Sequence, residues 1–200
     1  MQVGAGVQIP PNSSLLLERW GVTPFLAGAV VEPHEWIVRR WQNGKPIGRT
    51  PLIPDYYECF GAPYYVLHRA HYHQALYERA KELGVDVRVN SKVIKYDLEA
   101  PSVQLSNGTQ MFADLVVAAD GVNSTARRLI LNGKEHDPKP SGLAAYRATV
   151  DAKKIRSNPE LSWVLDKSNQ NIWQDLHPGS ISSKVLQDLT VSGLEQIIMQ

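Results

Sequence analysis

Cysteine is almost absent from this chain, since Cys59 is the single cysteine among 200 residues. One thiol excludes an internal disulfide framework and a cysteine-rich metal site. An apolar run of about 18 residues or more is also missing, which excludes a membrane-spanning helix. The first residues lack the charged start and apolar stretch of a secretory signal, so we expect no signal peptide.

A surplus of either charge is missing as well, because Lys and Arg total 21 while Asp and Glu total 20. A net charge of +1 gives no electrostatic drive toward nucleic acid or acidic membranes. The hydrophobic content of 43% is sufficient for a folded core. We therefore expect a soluble, cytoplasmic, globular protein that binds neither nucleic acid nor membranes.

Helical and strand patterns follow one another along the chain. Residues 36–48 predict two short strands joined by an Asn-Gly turn, and residues 70–83 repeat apolar side chains at helical spacing. The alternation over residues 85–89 predicts a strand, and residues 92–112 predict a strand meander with a second Asn-Gly turn. Residues 115–119 form a continuous apolar run that is typical of a buried parallel strand. This order of elements indicates an α/β fold.

The run LVVAADGVNSTAR, from Leu115 to Arg127, carries the sharpest chemical signal in the sequence. A buried strand that ends at Asp120-Gly121 and turns into a helix points free backbone N–H groups at the turn, which suits a phosphate. Ser124 can cap that helix. A plain strand-to-helix turn, in which Asp120 acts only as a cap, accounts equally well for the spacing.

Four segments in the same order resemble the FAD-dependent aromatic hydroxylases of the p-hydroxybenzoate and salicylate hydroxylase type. They are GAGVQIPPNSSLLLERWGV, GAPYYVLHRAHYHQALYERAKELGV, the Asp-Gly run and GLAAYRATV. The match covers residues 3–173 and is closest to fungal secondary-metabolism members. The resemblance implies an FAD-dependent monooxygenase that uses NAD(P)H and oxygen to hydroxylate a small phenolic or polyketide-derived aromatic ring. It implies nothing about the oligomeric state.

The resemblance also implies roles for individual residues. Cofactor-binding roles fall on two groups, one along the first half of the chain and one at the Asp-Gly run: Gly4, Ala5, Gly6, Arg69, Asp120 and Gly121. A guanidinium at Arg69 offers a fixed fork to phosphate or ribityl oxygens, and Asp120-Gly121 would lie beside the pyrophosphate. The other interpretation of Arg69 is an ion pair with Glu78.

Arg147 resembles the arginine that holds the phenolic substrate in related hydroxylases, and it is the candidate catalytic residue. A permanent positive charge beside a phenol lowers the phenol's pKa, and the resulting phenolate is a better nucleophile toward an electrophilic oxygen. The other interpretation is a surface arginine on an edge strand. The sequence itself does not separate these two.

The resemblance assigns a partial FAD-binding domain to residues 1–132, with an inserted hairpin segment at 30–67. Residues 133–173 begin a substrate domain, and residues 174–200 are a divergent tail. The predicted fold is therefore an incomplete Rossmann-like FAD-binding domain interleaved with part of a sheet-based substrate domain. The family's GxGxxG turn and its late Gly-Asp segment do not occur in this sequence.

These absences predict a chain truncated at both ends that binds FAD weakly or not at all by itself, because the GxGxxG turn holds the pyrophosphate. A catalytically inactive remnant, or a non-catalytic interaction partner, is the alternative to an active monooxygenase.

No metal site is expected. His68, His71 and His73 lie close together in the sequence, but they straddle a predicted strand-to-helix junction, where their rings should diverge. Cys59 has no evident base partner and is expected to be an inert packing residue. A hydrolytic triad that includes Ser124 lacks the nucleophile elbow such enzymes need.

Overall fold

The computed structural model describes residues 6–132, 146–165, 167–174, 187–191 and 194–199. The chain divides into two compact units, Met1–Val85 with Ala144–Gln200, and Asp86–Leu143. Among the described residues, no helix is both long and apolar enough to cross a membrane. The family-based domain boundaries at residues 132 and 173 stay predictions.

The first unit contains an antiparallel sheet in the order β1-β5-β2. These strands are β1 (Gly6–Ile9), β2 (Val30–Val31) and β5 (Tyr65–His68). Helices α1 (Pro11–Arg19) and α3 (Arg69–Glu82) follow β1 and β5 directly, so the predicted helix over 70–83 is confirmed. The main core of this unit consists of buried side chains from these elements and the turn after α1: Ile9, Leu17, Val22, Leu26, Tyr65, Leu67 and Ala75.

A second sheet of the same unit has the order β10-β3-β4. Strands β3 (Glu35–Arg40) and β4 (Pro46–Pro51) form the predicted hairpin. Gly44 in its turn has φ +68°, a conformation that glycine adopts without strain. Strand β10 (Gln170–Gln174) pairs in parallel with β3 and places Gln170 opposite Trp36.

Four short helical elements complete the described part of this unit. Helix α2 (Asp55–Phe60) lies between β4 and β5, and α5 (Ala152–Arg156) precedes a 3-10 turn at Ser162–Leu165. A further 3-10 turn follows α1 at Thr23–Leu26. Their brevity leaves the packing of this unit dominated by its sheets.

The third sheet joins the strand that carries Arg147 to the tail of the chain. Strand β9 (Tyr146–Val150) pairs antiparallel with β12 (Leu194–Met199), which pairs antiparallel with β11 (Gln187–Val191). The segment that the resemblance leaves unmatched therefore supplies two strands to the structure.

The second unit is a meander of β6 (Val93–Asp97), β7 (Ser102–Leu105) and β8 (Gln110–Phe112). The predicted Asn-Gly turn joins β7 to β8, and Gly108 within it has φ +86°. Helix α4 (Thr125–Ile130) closes the described part of the unit. The predicted meander is thus confirmed.

Two predicted strands are not formed. Residues 85–89 and 115–119 join no β-ladder within the described part of the chain. Their apolar side chains are open to solvent, with Val89 76%, Leu115 75% and Val117 78% exposed. A strand forms only when a neighbouring strand satisfies its backbone N–H and C=O groups, and no described strand does so for either segment.

Candidate functional site

Antiparallel pairing brings two of the predicted cofactor-binding residues together. Gly6, the first residue of β1, lies opposite His68, the last residue of β5. Arg69 follows as the first residue of α3. The remaining two residues of this predicted group, Gly4 and Ala5, lie outside the described residues.

His68 fixes the start of α3. Its backbone is extended, and its Nδ1 accepts a hydrogen bond from the Ala70 backbone N–H at 3.1 Å. This bond satisfies one of the N–H groups that a helix start otherwise leaves unpaired. The cap sets the direction in which the chain leaves β5 and therefore the position of Arg69 at the sheet edge.

The Arg69 side chain is exposed, and the ion pair with Glu78 is not formed. Glu78 instead accepts a hydrogen bond from the Gln74 amide, one helical turn away. Among the ion pairs of the described residues, none involves Arg69. The guanidinium is thus a cation at the β5–α3 junction that is open to an anionic ligand.

Tyr64 ties β1 to the chain segment that enters β5. Its hydroxyl donates a hydrogen bond to Gln8 Oε1 at 2.6 Å. The Tyr64 ring is buried, and burial is the main cause that raises the pKa of its phenol above the ordinary value. The phenol therefore remains a hydrogen-bond donor throughout the neutral range. Sequence reasoning did not single out either residue.

In the second unit, Asp120 caps α4. Its Oδ2 accepts from the backbone N–H groups of Thr125 at 2.9 Å and Ala126 at 3.4 Å. Hydrogen bonding from Ser124, the largest cause, and from backbone N–H groups lowers the pKa of the Asp120 carboxyl to about 2. The Tyr96 hydroxyl donates to the same oxygen at 3.3 Å.

Side chains cap the helix that follows the Asp-Gly turn. Ser124 Oγ accepts from the Arg127 N–H at 2.9 Å, so the first N–H groups of α4 already have side-chain acceptors. The N–H groups of Thr125, Ala126 and Arg127 are therefore not free for a phosphate, because Asp120 and Ser124 accept their hydrogen bonds. Gly121 has φ +79° and open space where a Cβ would lie. A backbone conformation that disfavours other residues accounts for this glycine.

The other candidate residues are placed as follows. Arg147 lies on β9 opposite Ile198, and its side chain lies outside the described part of the structure. No cluster of three or more potential metal ligands exists among the described residues. Cys59 is exposed, so the expectation that it packs inside the protein is wrong.

A second feature of the first unit was not predicted. On one face of β3, Arg39 stands beside the buried Ile37 and lies over the rings of Trp163 and Trp173. The signal was present in the alternating run EWIVRR, which sets a charged residue on the same strand face as a buried isoleucine.

Comparison with known proteins identifies relatives over most of the chain. An FAD-dependent monooxygenase of Beauveria bassiana, OpS4, is 34% identical over 174 residues, which are 86% of this chain and 41% of the relative. A 3-amino-4-hydroxybenzoate 2-monooxygenase of Streptomyces cremeus is 35% identical over 155 residues, covering 78% and 39%. No family model matches the chain.

Solved structures give the same result at the level of the fold. The tetrameric form of 2-methyl-3-hydroxypyridine-5-carboxylic acid oxygenase aligns with a TM-score of 0.74 and 25% identity, over all of this chain and 49% of that one. CtdE, solved with FAD and a substrate, aligns at 0.75 and 24%, over all of this chain and 48% of its own. The predicted α/β fold with a partial FAD-binding domain is confirmed. The chain is thus a homologue of FAD-dependent aromatic monooxygenases over most of its own length, and it spans about two fifths of the length of the curated relatives that it matches.

Proposed function

We propose that this chain supplies part of the flavin site and part of the substrate site of a cytoplasmic monooxygenase that uses FAD and NAD(P)H to hydroxylate a small aromatic ring in secondary metabolism. The observation that carries this proposal is the junction of β1 and β5. There Gly6 is paired with His68, and Arg69, whose side chain is exposed, is the next residue of the chain. Gly6 and Arg69 lie far apart in the sequence, and only the antiparallel pairing brings them together.

The residues at this junction fit an FAD molecule. A guanidinium offers parallel N–H donors to phosphate or ribityl oxygens, and Arg69 has no described ion-pair partner that competes for them. Gly6 is buried and lacks a Cβ, which would let a ligand pack closely against the neighbouring backbone. We assign the same contact to Gly4 and Ala5. The bound flavin would supply the redox chemistry that activates oxygen.

We assign Asp120 and Gly121 a supporting role at the pyrophosphate. With its pKa lowered to about 2, Asp120 is ionised at neutral pH and holds the turn through the N–H of Thr125. A carboxylate that is already bonded in this way keeps the Gly121 backbone in one conformation. Its effect on the cofactor would therefore be to position the turn.

We assign Arg147 the task of holding the substrate as its phenolate. A fixed positive charge stabilises the ionised oxygen and raises the electron density of the ring that is to be hydroxylated. The residue sits on β9, a strand whose backbone is held by pairing with β12. The proposal predicts that Arg147→Ala lowers aromatic-stimulated NADPH oxidation, whereas unchanged coupled turnover would remove this assignment.

FAD titration of the purified chain tests the cofactor proposal, and it is extended to high FAD concentrations because the missing GxGxxG turn predicts weak binding. Arg69→Gln should weaken binding by about tenfold, the loss expected for one charge-assisted hydrogen bond. Arg19→Gln is the matched control, because Arg19 is an exposed arginine at the end of α1 in the same unit. Equal affinity of the wild type and the Arg69→Gln variant would refute the assignment of Arg69.

A second candidate function is that of a non-catalytic remnant or interaction partner. The exposed apolar side chains at Val89, Leu115 and Val117 favour it, since unpaired apolar segments of this kind promote association. NADPH oxidation that requires FAD and is stimulated by a hydroxylated benzoate separates the two functions. Its absence at saturating FAD would favour the non-catalytic one.

A further inference from the structure

A cavity of about 250 Å³ opens on one face of the β10-β3-β4 sheet in the first unit. Its floor is formed by buried side chains of β3, β10 and the neighbouring turns, namely Ile37, Val164, Asn169 and Asn171. The volume suits a small organic molecule of about ten heavy atoms, below the usual range for drug-sized ligands.

Arg39 is held rigidly at the wall of this cavity. Its Nε donates to Asn171 Oδ1 at 2.8 Å, and its Nη1 donates to the Gly44 carbonyl at 3.0 Å. The guanidinium also lies 4.7 Å from the ring centroid of Trp163 and 5.9 Å from that of Trp173. Two hydrogen bonds and two aromatic faces orient the group before any ligand arrives, which reduces the entropy cost of binding.

The charges around the cavity do not balance among the described residues. Arg39, Arg49 and Lys167 line it, and the lining carboxylate, Glu35, is ion-paired with Arg49. Burial, followed by the positive charge of Arg49, lowers the pKa of Arg39. An anion placed beside Arg39 would offset both the cost of burying the guanidinium and the repulsion from Arg49.

The floor also contains a polar atom whose hydrogen-bonding capacity is not used. Asn169 is only 9% exposed, and its Oδ1 has no hydrogen-bond partner among the described residues. Its Nδ2 makes a long contact with Glu35 Oε1 at 3.4 Å. Buried polar atoms without partners are uncommon in native proteins, and they occur where a ligand or water completes the site.

We propose that this cavity is a binding site for a small organic carboxylate, with the anion on Arg39 and the apolar part of the ligand against Trp163, Ile37 and Val164. The site uses only residues of the first unit. It does not require bound flavin, so it can be tested without reference to the monooxygenase function.

Benzoate and benzamide are the probes, because they share a shape and differ in charge. Benzoate added to the flavin-free protein should shift the indole N–H signals of Trp163 and Trp173 in NMR spectra, with assignments from Trp→Phe variants. Isosteric benzamide should bind at least about tenfold more weakly, since it cannot form the charge-assisted contact. Equal binding of the two probes, or shifts confined to other tryptophans, would overturn the proposal.

A matched pair of variants locates the contact. Arg39→Gln should weaken benzoate binding by at least about tenfold, whereas Arg40→Gln should change it by no more than about twofold. Arg40 is the next residue on β3, exposed and on the opposite face of the strand. Equal effects of the two substitutions would overturn the assignment. Should Arg39→Gln fail to fold, the comparison of benzoate with benzamide in the wild type decides the question.

Discussion

Removal of the Tyr64 hydroxyl should show how much one hydrogen bond between β1 and the segment before β5 contributes to the stability of the protein. The Tyr64 hydroxyl donates to Gln8 Oε1 at 2.6 Å. The Tyr64 ring packs edge-on against Trp36 and Tyr56, each with centroids 5.8 Å away. Tyr64→Phe retains these ring contacts and removes only the hydrogen bond, so it isolates the contribution of that bond.

The expected cost follows from the burial of the two partners. A hydrogen bond between neutral groups contributes about 0.5–1.5 kcal/mol, and Gln8 is only half-buried, so water can reach its amide once the hydroxyl is gone. We therefore expect Tyr64→Phe to lower the free energy of unfolding by about 1 kcal/mol, or Tm by about 2–4 °C. Tyr64→Ala, which also removes the ring, should cost about 3–5 kcal/mol.

The pH dependence has a definite sign. Burial raises the pKa of the Tyr64 phenol above its ordinary value of 10.0, so the folded state retains the proton after the unfolded state begins to lose it. The contribution of this phenol is therefore complete below about pH 10 and declines as the pH rises further. The stability curves of the wild type and Tyr64→Phe should approach each other in that range.

Urea unfolding followed by circular dichroism measures these differences. A double-mutant cycle with Gln8→Leu separates the hydrogen bond from other effects of each substitution. Tyr57→Phe is the control, since that side chain is exposed and should tolerate the change. A coupling energy near zero between Tyr64 and Gln8, or a loss equal to that of the control, would refute the reasoning.

Three further predictions concern other parts of the chain. Asp120→Ala should speed hydrogen exchange at the Thr125 amide, because the Asp120 carboxylate accepts a hydrogen bond from that amide. In the wild type this protection is complete above the ordinary Asp pKa of 3.8 and is lost as the pH falls through about 2. An unchanged exchange rate in the variant would contradict this prediction. Gly21→Ala should lower the free energy of unfolding by more than about 1 kcal/mol, because Gly21 has φ +69° and an added Cβ would lie 3.0 Å from an arginine side chain. Gly48→Ala, where φ is not positive, is the control in the same urea unfolding experiment. The exposed Cys59 should react with one equivalent of a thiol reagent in the folded protein, and a thiol titrated only in denaturant would disprove its exposure.

The elements that could be predicted are those whose signal is local. The hairpin of β3 and β4 and the turn between β7 and β8 follow from Asn-Gly pairs, where a positive φ is required. Helix α3 follows from apolar spacing over four turns. Each of these elements satisfies most of its hydrogen bonds within a short stretch of chain.

The strands predicted at 85–89 and 115–119 failed for the converse reason. Both segments carry apolar side chains that favour a strand, but a strand makes no backbone hydrogen bonds within itself and depends on strands elsewhere in the chain. No described strand lies beside them, so Leu115 and Val117 remain exposed. Composition alone indicates that such a segment favours a strand, but it does not show whether a partner strand is available.

For the candidate site, the sequence by itself determined the family and the identity of the groups, because the Gly-Ala-Gly, His-Arg and Asp-Gly segments occur in the family's order. The tertiary structure decided which groups meet. Strand pairing places Gly6 opposite His68, the residue before the exposed Arg69, and the side chains of Asp120 and Ser124 accept hydrogen bonds from the first N–H groups of α4. The cavity at Arg39 joins residues from both halves of the chain through the parallel pairing of β3 with β10. No local pattern encodes such a contact, since it depends on the register between distant strands.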